Sequence, residues 1–172
     1  MTGKVMTAGT AVLLFCLVAL VMAANPKPNF SGTWVMDVAR SFGQPANMQQ
    51  NMTISQTEDQ IIVETKLIQP DNERTVNDTY VLDGKEYEFT PPLPPKAAPN
   101  TPAAKGKRTA AWLPTGTGIV VTDVITNETP KGPVTTQIAR QWTITRDGEL
   151  TITMFIDAPN GSYETKRIFL RK

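Results

Sequence analysis

Histidine is absent from the 172 residues of this chain. That removes the Ser-His-Asp and Cys-His nucleophile systems and nearly all zinc enzymes, which use imidazole as base or ligand. A carboxylate pair is the remaining route to acid–base chemistry. The 16 acidic residues are scattered over strands and turns, and the pattern singles out none of them. The expectation is a protein that is not an enzyme and uses no cofactor or metal. Cysteine is nearly absent as well. Cys16 stands alone, so no disulfide can form within the chain and stability must come from a core. A surplus of one charge is also lacking, with 17 basic residues against 16 acidic ones. Nothing here would hold nucleic acid or an anionic membrane by charge.

The first residues read as a secretory signal. Lys4 supplies a short basic start, residues 10–22 are almost wholly apolar, and Val21-Met22-Ala23 ends in the small residue that a signal peptidase needs. Cleavage is expected after Ala23, with Ala24 as the alternative. The apolar run is short of the ~20 residues of a membrane helix, so no stable span is expected after cleavage. Cys16 follows Phe15 inside the run rather than a small residue at its end, which argues against lipidation. Residues 24–172 are then one exported domain, secreted or periplasmic.

After the signal no sustained helical periodicity occurs. Short alternating runs recur between turn signals, which reads as all-β and antiparallel. Strands are expected near 32–37, 51–56, 61–68, 74–82, 85–90, 107–112, 119–126, 134–145, 150–157 and 162–171. Residues 38–47 are the one place for a short helix or 3₁₀ turn. Arg146-Asp147-Gly148 suits a three-residue hairpin loop. It sets Ile144 opposite Leu150, Trp142 opposite Ile152, and Arg140 opposite Met154. A four-residue loop at Ala158-Pro159-Asn160-Gly161 sets Ile156 opposite Tyr163 and Ile152 opposite Arg167. Both turns keep the apolar sets on one face, which a one-residue slip would not. A two-residue turn at Asp83-Gly84 would bring Tyr80 opposite Tyr87.

Residues 91–106 are expected to loop, because six prolines fall between Pro91 and Pro102. The plain reading is a solvated polyproline-like segment, and the sharper one is a PxxP recognition peptide. Five Asn-x-Ser/Thr sequons, at Asn29, Asn51, Asn77, Asn127 and Asn160, arise readily in a threonine-rich chain.

The same alternation turns two arginines inward. Arg140 shares a face with Ile138, Trp142 and Ile144, and Arg167 with Tyr163, Thr165 and Phe169. A buried guanidinium is costly unless something anionic or aromatic meets it.

Phe30-Ser31-Gly32-Thr33-Trp34 resembles the Gly-x-Trp opening of the calycin barrels, the lipocalins and fatty-acid-binding proteins. Thr165-Lys166-Arg167-Ile168-Phe169 is similar to the Thr-Arg-x-Tyr of the last strand in fatty-acid-binding proteins. The resemblance implies an up-and-down barrel of eight to ten strands around a ligand cavity, with Gly32 and Trp34 as its structural signature. It also implies two inward arginines and a tyrosine that hold a ligand carboxylate. Arg140 and Arg167 fall at similar places, and Phe169 stands where the tyrosine would. Asp37 to Asn51 is too short for the two-helix lid of those proteins. Candidate ligand-binding residues are Arg140, Arg167, Phe169, Trp142, Met154, Tyr80 and Tyr87.

Both arginines also have a purely structural reading. Arg167 could stack on Trp34, as a late-strand arginine does in calycins. Arg140 could meet Asp78 or Asp123. Trp112 and Trp142 suit a core as well as a ligand platform, and the methionines suit core filling. The function expected is reversible binding of a small hydrophobic ligand, with an anionic head as the refinement that the arginines suggest. The alternative is a packed β-domain serving as an interaction or envelope module.

Overall fold

The structure, a computed structural model, describes residues 26–43, 45, 47–92, 103–130 and 132–172. Residues 1–25, which include the expected signal and Cys16, and the middle of the Pro-rich segment lie outside the described residues. Among the described residues the chain forms ten strands and no helix. In order they are β1 (Gly32–Met36), β2 (Gln49–Gln56), β3 (Gln60–Gln69), β4 (Asn72–Val81), β5 (Asp83–Phe89), β6 (Lys105–Trp112), β7 (Gly118–Thr129), β8 (Gly132–Ile144), β9 (Leu150–Ala158) and β10 (Gly161–Arg171). No helix of the described residues is long and apolar enough to cross a membrane.

One antiparallel sheet holds all ten strands, in the order β4-β3-β2-β1-β10-β9-β8-β7-β6-β5. Sequence neighbours pair throughout, and β1 also pairs with β10, Trp34 lying opposite Arg171 and Met36 opposite Phe169. Pairing the first strand with the last closes the sheet on itself everywhere except one seam, between β4 and β5. This is the up-and-down barrel that the resemblance to the calycins implied.

Alternation explains which side chains fill it. Met52 and Ile54 on β2, Ile61 and Val63 on β3, Leu150 and Ile152 on β9, and Phe169 on β10 are all buried at period two. Aromatic rings gather at the end where β1 begins and β10 finishes. There Phe30, from the segment ahead of β1, is fully buried. Its ring stacks on Trp112 with centroids 6.3 Å apart and meets Trp142 edge-on at 6.1 Å. The Trp34 indole donates to the Phe30 carbonyl at 2.8 Å, so the plug is tied to the first strand. Gly32 takes a φ of +133°, which an L side chain rarely adopts, and the Arg171 guanidinium lies 4.6 Å over the Trp34 ring.

The hairpin register follows the turns. Ile144 pairs with Leu150, Trp142 with Ile152, and Arg140 with Met154. Ile156 pairs with Tyr163, and Ile152 with Arg167. Gly148 takes the left-handed φ of +78° that the three-residue loop requires. Ala158 and Gly161 pair with each other, so that loop holds two residues rather than four.

Three local expectations are corrected. The segment after β1 is not a helix: it turns at residues 38–40 and then bridges β10, Phe42 opposite Lys166. The backbone pairing with β10 satisfies groups that a helical turn would otherwise satisfy. Tyr80 does not face Tyr87. It pairs with Ile61, while Tyr87 pairs with Arg108 across a bulge at the start of β5. β4 and β5 diverge after their turn because the Leu82 amide bonds back to the Asp59 carbonyl at 2.8 Å, on the β2–β3 side. The third correction concerns the Trp34 stacking cation, which is Arg171 and not Arg167.

Candidate functional site

Above the aromatic plug the inward face changes character. A cavity of about 190 Å³ opens there, toward the end that carries the β3–β4 turn. Its apolar lining includes Met52, Val63, Trp142, Ile152 and Met154. Tyr80 lines it too, its ring edge-on to Trp142 at 5.6 Å. Leu67 and Arg74, paired with each other near the β3–β4 turn, mark the rim together with Pro92.

Two polar residues of the lining, Asp78 and Arg140, belong to a chain of charges that runs on to Arg108 and Asp123, which do not line the cavity. Arg108, inward on β6, donates from Nε and Nη2 to the two oxygens of Asp123 at 2.6 and 3.0 Å. Its Nη1 reaches across the seam to Asp78 on β4, at 2.7 Å. Arg140 donates from Nη1 to Asp123 Oδ2 at 2.6 Å. One buried carboxylate on β7 therefore serves two guanidinium groups. Burial pushes the Asp123 carboxyl up, but hydrogen bonds from Arg108 and the charges of Arg140 and Arg108 outweigh this and hold it below the ordinary carboxylate value. Burial likewise opposes the charge on Arg108, and its aspartate partners raise it above the ordinary value. The Arg108 guanidinium also lies between two rings, 4.8 Å from Tyr80 and 4.1 Å from Phe89. Gly106 is what admits Phe89: a Cβ there would collide with the ring.

Arg167 is placed differently. Its Nη1 donates to Gln50 Oε1 at 2.6 Å, and its buried Nε has no hydrogen-bond partner. No carboxylate among the described residues forms an ion pair with it. Burial, and then the like charge of Arg140, lower its pKa to about 10, which still leaves it charged at neutral pH. The buried Nε1 of Trp142 also lacks a partner. Arg74 completes the set as a rim cation with no ion pair among the described residues. Four guanidinium groups thus meet two carboxylates in and around the cavity, and the balance is positive.

Of the residues singled out from the sequence, Arg140, Arg167, Trp142, Met154 and Tyr80 come together as cavity lining. Phe169 does not line it. It is fully buried in the plug region, in register between Met36 and Leu150. Tyr87 is also elsewhere, 42% exposed, its hydroxyl donating to Asp83 at 2.9 Å. Of the two structural partners expected for Arg140, Asp123 is the one it meets; Asp78 belongs to Arg108. Sequence reasoning missed Arg108, Arg74 and Gln50. Arg108 alternates with Gly106, Ala110 and Trp112, and Arg74 with Val76, Asp78 and Tyr80, so the rule that exposed Arg140 applies to both. Gln50 was lost because β2 begins two residues earlier than expected.

No family model matches this chain, and no curated protein matches it. Among solved structures, the zebrafish ileal bile acid-binding protein in complex with cholic acid is similar at 16% identity with a TM-score of 0.49. The match covers 83% of this chain and 98% of that one.

Proposed function

We propose that this is an exported, non-catalytic binding protein for a small hydrophobic molecule with an anionic head. The observation that carries the reading is Arg167. A guanidinium inside a barrel, satisfied by one neutral amide and holding an idle Nε, is a receiver for an acid that the chain does not supply. Arg140 is not such a receiver, because Asp123 already neutralises it. Apolar lining supplies the affinity, and the head fixes the orientation. Arg74 at the rim adds a positive field that favours entry of anions. Export rests on the basic start, the apolar run and Ala23 in the sequence.

Displacement of a fluorescent probe by a carboxylic acid and by its neutral alcohol analogue tests the reading. The acid should displace at lower concentration, and Arg167→Gln should remove most of the difference. A charge-assisted hydrogen bond contributes about 1.5–3 kcal/mol, or about 10- to 150-fold in affinity. Equal displacement by acid and alcohol would contradict the anionic head. Absence of any displacement would leave the packed interaction module as the better reading.

A further inference from the structure

The cavity's size and its two idle donors narrow the class of acid, taking the anionic reading above as given. We infer that the ligand is a monocyclic aromatic carboxylate, a single ring with a short acidic arm, rather than a long-chain fatty acid or a polycyclic acid. The first ground is volume. An apolar cavity of about 150 Å³ is filled by benzene. The present cavity is about 190 Å³, so a ring leaves a remainder of the order of one carboxyl group or one water. Drug-sized ligands occupy pockets of about 300–1,000 Å³, and this one lies below that range. A sixteen-carbon tail or a fused four-ring skeleton would leave most of its carbon outside the barrel.

The second ground is the wall. Trp142 and Tyr80 stand edge-to-face at an interplanar angle of 76° on one side of the space. Aromatic rings favour such offset and edge-on neighbours over flat stacking. Met52 and Met154 line the same space, and thioethers make favourable contacts at ring edges.

The third ground is the pair of donors. Trp142 and Arg167 both pair with Ile152, one from each side of β9. Their Cα atoms are therefore two strand spacings apart, about 10 Å, with both side chains directed inward. Each carries a buried N–H without a partner, the indole Nε1 and the guanidinium Nε. Buried donors are rarely left unpaired. Both atoms are sealed from solvent in the empty barrel, so a carboxylate, with its two acceptor oxygens, reaches them as the Arg167 and Trp142 side chains adjust to the ligand. Gln50, 95% buried and bonded to Arg167, fixes where the guanidinium points.

Isothermal titration of the full mature chain with phenylacetate, benzyl alcohol, palmitate and cholate tests this, with Trp142→Phe as the variant. Phenylacetate should bind at least tenfold more tightly than palmitate or cholate. Trp142→Phe keeps a ring and removes the N–H, so it should weaken phenylacetate about five- to tenfold more than it weakens benzyl alcohol. Far-UV circular dichroism and the denaturation midpoint report whether that variant is folded. If it is not, the size series on the parent decides alone. Palmitate or cholate binding as tightly as phenylacetate would overturn the inference while leaving the carrier reading intact. Benzyl alcohol binding as tightly as phenylacetate, or no acid binding at all, would overturn the anionic reading itself.

Discussion

Arg140 and Arg167 share one interior face, yet their neighbours differ in charge. Asp123 lies 2.6 Å from Arg140, and an amide oxygen lies 2.6 Å from Arg167. Removing the acid leaves the half-buried Arg140 without an ion pair and the buried Arg108 with Asp78 alone, so Asp123→Asn should cost about 3–5 kcal/mol of stability, read by urea denaturation. A loss under about 1 kcal/mol would mean that the network does not hold the barrel. The pH dependence has a definite sign. Asp123 is held below its unfolded value, so its contribution is complete above about pH 4 and fades as pH falls through the native value. Asp123→Asn should therefore flatten the acid limb of the stability curve. Arg167 behaves oppositely, since its burial is uncompensated. Arg167→Met should leave stability unchanged or raise it, while Arg140→Met should lower it by exposing Asp123 to burial with one partner fewer. Denaturation midpoints that fall equally for both would contradict the distinction drawn between them.

The strands were largely legible, because alternation and turn chemistry are local. All ten occur within a few residues of where the pattern put them, and the pairings Trp142–Ile152 and Ile152–Arg167 follow from loop lengths alone. The seam was not legible. Asp83-Gly84 suits a two-residue turn, but the chain turns at Leu82 and both residues open β5, Gly84 at φ +75°; turn chemistry does not say whether the strands beyond it stay together. Which acid meets Arg140 was legible as two choices and no further, because cross-barrel approach depends on strand tilt rather than on sequence spacing. The same limit put Arg167 on Trp34, where Arg171 lies. Close approach of elements sets one more expectation. A Cβ on Gly118 would collide with the Trp142 carbonyl of the paired strand. Gly118→Ala should therefore push β7 from β8 at the plug and cost about 1–3 kcal/mol by thermal or chemical denaturation. A neutral effect would show that this pairing yields freely.

The molecule divides its labour along the barrel axis. One end is a packed aromatic plug in which Phe30, Trp34, Leu150 and Phe169 are fully buried. The other keeps a small cavity with a positive balance and two unpartnered donors. A core of this kind can carry the stability that a chain without disulfides requires, and it leaves the open end free to hold a costly charge. Trp34→Ala should cost about 3–5 kcal/mol, the range for truncating a buried aromatic, without altering acid-over-alcohol preference. The central claim is that Arg167 and Trp142 receive the ligand's acid. Two-dimensional ¹H–¹⁵N NMR of residues 24–172, with Arg167 Nε–H and the tryptophan indoles assigned by substitution, reads those donors directly. On addition of phenylacetate the Arg167 Nε–H and Trp142 Nε1–H resonances should move downfield together. The Trp34 indole, already bonded to the Phe30 carbonyl, should stay in place. Movement of Trp34 with Arg167 and Trp142 unchanged, or no movement at saturating acid, would contradict the account.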